Sequence, residues 1–171
     1  MASTVRISYF GPGATEQAGT TAETGFKFNR EDTLSGTTAT IAVPSSTGTG
    51  FSWHKPLGLE VTATDSTNIS NRKVYLGSAA STGLQLFFKQ SASYVQAALA
   101  AAATGSNGST PAGYTLLSTT PQTYDSGSDS AGSTGRSGDF CFVALGVDNT
   151  YAGGAGSAIV LPDLKMQYDE A

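Results

Sequence analysis

The chain predicts an all-β fold, an antiparallel β-sandwich or jelly roll with long Ser/Gly-rich loops and at most one short helix. Three observations lead there. Short β-branched, aromatic or aliphatic runs recur between clusters of Gly, Ser, Thr and Pro, the spacing of strands and turns. Gly (21), Ser (21), Thr (23) and Ala (23) make up more than half of the 171 residues. Charged residues are only 13%, about half the usual ~25%, which argues against a Glu/Lys-rich coiled coil and against a highly charged disordered chain. A length of 171 residues suits one domain spanning 1–171.

Taken in order, strands are expected at 5–10, 25–29, 38–43, 57–63, 73–76, 84–89, 114–117, 140–147 and 158–168. Alternation is clearest where Leu59, Val61 and Ala63 oppose Glu60, Thr62 and Thr64, and where Phe26 and Phe28 flank Lys27. Such strands have one dry and one wet face. The run Phe140-Cys-Phe-Val-Ala-Leu-Gly-Val147 is apolar on both faces and reads as a central strand. At 94–103 the chain is expected to form one short Ala-rich helix, with Ser93 as N-cap and Gly105 ending it, or else an extended Ala-rich loop. Two long loops, 104–113 and 125–139, lack apolar anchors.

Thr suits strands, and its hydroxyl is wet on an exposed face, so a sheet of few charges stays soluble. Edge strands are normally blunted by charge, and charge is scarce here. The chain is therefore expected to cover its edges with copies of itself or a larger assembly, the terminal segments 5–10 and 158–171 being the candidate contacts.

Candidate chemistry is thin. A net charge of −4 gives no support to nucleic acid as partner, because such binding rests on Lys and Arg neutralising phosphates. The N-terminus lacks a signal-peptide pattern and no apolar run is long enough for a membrane helix. Cys141, the single cysteine, reads as a small buried hydrophobe. His54, the single histidine, would have to serve any Ser-His-Asp or Cys-His scheme; in Phe51-Ser-Trp-His-Lys-Pro56 it reads as a strand-entry residue beside a buried Trp53. Asp125-Ser126-Gly127 matches the aspartic-protease triplet, which needs a second carboxylate to share its proton. Asp125, Asp129 and Asp139 offer oxygens to calcium, without the EF-hand spacing. Asp148, Asn149, Asp163, Asp169 and Glu170 read as turn and tail residues. Asn68-Ile-Ser70 and Asn107-Gly-Ser109 fit the N-glycosylation pattern by chance. Tyr94, Tyr114, Tyr124 and Tyr151 lie next to loops, where exposed rings would suit a glycan or a protein surface. No catalytic, cofactor-binding or metal site is therefore assigned.

Four segments carry a likeness: FKFNREDT at 26–33, LEVTATD at 59–65, NISNRKVY at 68–75 and GVDNTYAGGAGSAIVLPDL at 146–164. In style they resemble the small Ser/Thr/Gly-rich structural proteins of tailed bacteriophage virions, closest in type to capsid decoration or cement proteins. The resemblance implies a non-enzymatic virion protein without cofactor that stabilises the shell by bridging neighbouring capsid subunits. Its implied partners are copies of itself, as a trimer, and the major capsid protein. No family residue maps onto single positions here. The alternative expectation is a carbohydrate-binding or adhesin-like sandwich in a tail or neck, built on the loop tyrosines.

Overall fold

The strands of the computed structural model assemble into two antiparallel sheets stacked as a sandwich. It describes residues 4–22, 27–33, 41–63, 68–99, 107–129, 133–153 and 161–170, and among these no helix forms. The strands are β1 (Thr4–Tyr9), β2 (Thr20–Thr21), β3 (Thr49–Phe51), β4 (Lys55–Ala63), β5 (Ile69–Leu76), β6 (Leu84–Ser91), β7 (Thr115–Leu116), β8 (Gln122–Ser128), β9 (Gly135–Asp148) and β10 (Leu164–Glu170). The large sheet runs β2-β1-β4-β9-β6-β7, with β3 beside β4 on the same edge of β9. The small sheet runs β10-β5-β8.

β9 is the central strand its apolar run predicts, buried without interruption from Phe140 to Asp148. Cys141, Val143, Leu145 and Val147 face the small sheet and pack with Leu57, Leu86 and Phe88 against Val74, Leu76 and Tyr124. Phe140 and Phe142 point the other way and join Phe10. Burying each such large side chain contributes roughly 1.5–3 kcal/mol, so the two faces of one strand anchor two clusters.

The second cluster would lie open on the outer face of the large sheet were it not crossed by residues 92–99. This segment is the one expected at 94–103 as a short helix or an extended Ala-rich loop, and its described part takes the second form. It runs as an irregular strap: the His54 amide donates to the Ala98 carbonyl at 2.8 Å, Trp53 and Leu99 form an isolated bridge, and Ala97 is buried. An isolated Ala-rich helix of this length is marginal, whereas the strap caps Phe140 and accepts from the His54 amide at the β3–β4 break. At that break Ser52 replaces a rung of the ladder, its hydroxyl accepting from the Leu145 amide at 2.9 Å.

Other boundaries also shift. Residues 27–29 and 41–43 are not strands; Asn29 turns its side chain to Lys55, and Phe28, Ile41 and Val43 only lean against the core. The rest of those two expected strands, 25–26 and 38–40, falls outside the described residues, as do 100–103 and 158–160. The C-terminal strand starts at Leu164, later than expected. The expected loop at 125–139 is mostly strand, since β8 continues to Ser128 and β9 begins at Gly135. Ser and Gly gave no apolar signal there, yet a buried arginine holds the segment in place.

In β5, Asn71 sits in the left-handed region (φ 50°), and pairing slips against both neighbouring strands at this point. This bulge changes the phase of the strand, so that Ile69 and Arg72 both turn inward.

Candidate functional site

The residues that looked chemical in sequence are dispersed by the fold. His54 lies under the strap on the outer face, its ring edge-on to Phe142 at 4.9 Å and its Nε2 3.1 Å from the Gln96 carbonyl. A carbonyl only accepts, so Nε2 carries the proton. Burial lowers the imidazole pKa, which leaves the ring neutral at pH 7. Cys141 is on the opposite face of the same sheet, fully buried, its thiol pushed well above the ordinary range by desolvation. The body of the sheet stands between thiol and imidazole, so the pair makes no dyad.

Asp125 belongs to β8, and its carboxylate is occupied. Oδ2 meets Arg72 Nη1 at 2.9 Å and accepts the Asp139 amide at 2.9 Å, and Oδ1 accepts the Gly127 amide at 2.7 Å. The triplet that matched aspartic proteases is thus a carboxylate paired with a guanidinium. Asp129 reaches the same arginine, with Oδ2 2.7 Å from Nη2. Asp139 turns away and accepts from Gln90 Nε2. Arg72 therefore stands where the calcium reading placed a metal ion, and among the described residues no cluster of His, Cys, Asp and Glu is arranged for a metal.

None of the four tyrosines is exposed. Tyr94 lies edge-on to Phe140 and donates its hydroxyl to the Gly13 carbonyl at 2.8 Å. Tyr124 is buried in the main core, Tyr151 packs against it, and burial raises Tyr114 to about 12. Of the two glycosylation patterns, Asn68 is exposed beside β5, whereas the Asn107 side chain accepts from the Gly48 amide and donates to Asn149. Asp148 closes a turn after β9 by accepting from the amide and hydroxyl of Thr150.

Two buried cations, missed in the sequence, organise the interior. Arg72 is 0% exposed and, besides the two carboxylates, donates to the Ile69 and Gly127 carbonyls and the Ser137 hydroxyl. It clamps β5 and β8 of the small sheet to β9 of the large one. Gly138 (φ 69°) lies against this clamp, where an added Cβ would fall on Asp125 and Arg72. Lys55 is also 0% exposed; its Nζ donates to Asn29 Oδ1 at 2.7 Å, to the Thr33 carbonyl at 2.8 Å and to the Glu31 carbonyl. Burial pushes its pKa down to about 8, against the pull of Asp32 and Glu31. Asp32, in the segment that Lys55 pins, accepts from the Tyr9 hydroxyl, the Gly13 amide and Gln96 Nε2, so the pinned segment also tethers the strap.

No family model, curated protein or solved structure matches this chain.

Three large apolar side chains stand out in solvent among the described residues: Val95 (48% exposed), Leu99 (42%) and Leu116 (44%). Val95 and Leu99 lie on the strap over the outer face of the large sheet. Leu116 alternates with the core residue Leu117 and pairs with Phe87, which places it on that same side. The small sheet ends in β10, where exposed and half-buried residues alternate and β5 is the only partner among the described residues.

Proposed function

We propose that this protein is a non-enzymatic structural component of a virion, of the decoration type, which associates with copies of itself and with the major capsid protein to stabilise the shell. The supporting observation is the placement of Val95, Leu99 and Leu116 on one side of the molecule. Apolar side chains gathered on one side gain free energy when a partner covers them. The low charge of the chain and its likeness to phage virion proteins favour the same reading. A protein that binds only the assembled shell stabilises that state by mass action, with no chemistry required.

The test is immunogold labelling of purified virions of the phage that encodes the chain. Gold distributed over the shell is the expected result. Label confined to the tail, or absent from intact particles, would overturn the decoration reading. Leu99→Asp, which puts a charge on the outer face without touching either cation cage, should reduce shell binding at least tenfold in co-sedimentation.

A further inference from the structure

The edge of β10 away from β5, unpaired among the described residues, has the pattern of a strand made to pair with itself. The Gly77 amide donates to the Asp163 carbonyl at 2.8 Å, so residue 163 turns its backbone polar groups toward β5. Backbone groups alternate along a strand, and 165 and 167 therefore also face β5, opposite Tyr75 and Lys73. Met166 and Tyr168 turn their amides and carbonyls outward. The register slip near this point places the extra residue in β5, at Asn71, and leaves β10 regular.

Consider an antiparallel copy related by a two-fold axis through Gln167. Met166 then lies opposite Tyr168 of the second copy, and these are the residues whose outward N–H and C=O groups can exchange hydrogen bonds. Lys165 lies opposite Asp169 in a position without backbone bonds, where facing side chains come closest. All three residues on that face, Lys165, Gln167 and Asp169, are exposed. Asp169 already accepts from Asn71 Nδ2 at 2.7 Å, which orients its carboxylate. Hydrogen-bond direction and charge thus agree on one register.

We infer that β10 is a homotypic contact, through which two copies pair antiparallel about Gln167 and the small sheet continues from one molecule into the next. Charge on an edge normally discourages pairing. Here the order Lys-x-Gln-x-Asp makes the edge complementary to its own reverse, so charge selects a second copy in a fixed register. This contact stands independently of the virion reading.

Charge exchange tests it in the full-length protein by sedimentation equilibrium at low salt. The wild type should dimerise. Lys165→Asp and Asp169→Lys should each weaken association at least tenfold, by setting like charges opposite each other, and the double variant should restore it. Circular dichroism verifies that each variant is folded. A wild type that stays monomeric at 100 μM, or a dimer indifferent to both single changes, would overturn the proposal; so would a double variant as weak as the singles.

Discussion

Arg72 and Lys55 are both cations at 0% exposure, and they are held in opposite ways. Arg72 meets two carboxylates directly, with Asp125 at 2.9 Å and Asp129 at 2.7 Å, and its remaining donors reach carbonyls and a hydroxyl. Lys55 is surrounded by neutral oxygens from one segment, and its nearest negative charges, Asp32 and Glu31, act on it through space. Arg72 is thus neutralised by contact, and Lys55 only by field. An ammonium held in the second way has a lowered proton affinity. The two cages also do different mechanical work. The arginine ties sheet to sheet, and the lysine ties a loop, and through Asp32 the strap, to the large sheet.

The largest consequence concerns the arginine. Arg72→Leu should cost about 3–5 kcal/mol, because it leaves two carboxylates facing a space without a cation. Urea denaturation should show the lowered midpoint, and a loss below 1 kcal/mol would mean that the carboxylates relax to solvent freely. Lys55→Met leaves neutral oxygens behind and removes a buried charge, so its expected cost is smaller, about 1–3 kcal/mol. Hydrogen exchange should localise the damage: amides of 27–33 and 92–99 should exchange faster, while those of β5 and β8 stay protected. Uniform loosening of both sheets would erase the distinction between the cages.

The smallest effect is on pH dependence. Below about pH 8 folded and unfolded chains both hold the Lys55 proton, and the fold carries the cost of the buried charge. Between about 8 and 10.5 the folded chain has released it while the unfolded chain keeps it, so stability rises with pH. Each pH unit within that window adds about 1 kcal/mol. Above pH 10 the trend reverses, because Tyr9, Tyr114 and Tyr124 stay protonated in the fold but ionise when unfolded. Denaturation between pH 7 and 11 should show this maximum, and Lys55→Met should lack the rising limb.

The sequence made most of the sheet framework legible where apolar residues recur at strand spacing. β9 is the plainest case, since a run apolar on both faces can only be buried twice. Legibility failed where polar contacts set the structure. The Ser/Gly stretch after Tyr124 becomes strand because Arg72, far away in sequence, binds its aspartates. The strap looked helical because Ala has high helix propensity, and nothing local revealed that the His54 amide and ring would bond the carbonyls of Ala98 and Gln96. Asn71 was unreadable as a bulge, yet it decides that Arg72 points inward. Lys55, one residue before a proline at the start of a strand, carried no mark of burial. The Lys-x-Gln-x-Asp order of β10 was visible all along, but it acquires meaning only once the outward-facing backbone groups are known.

Arg72 and Lys55 are committed to internal bonds, whereas among the described residues β10 pairs only with β5 and turns the backbone groups of Met166 and Tyr168 outward. Oxidation of Gln167→Cys tests this most directly. The two Cα atoms at the two-fold axis would stand about 4.5 Å apart, within the range a disulfide spans, and Cys141 is fully buried and so does not compete. Under mild oxidation the folded variant should convert to a disulfide-linked dimer within minutes, at a rate that falls with added salt as the Lys165–Asp169 pairs are screened. A folded variant that remains a reduced monomer, or that cross-links only when denatured, would contradict the assignment of β10 as the contact between copies.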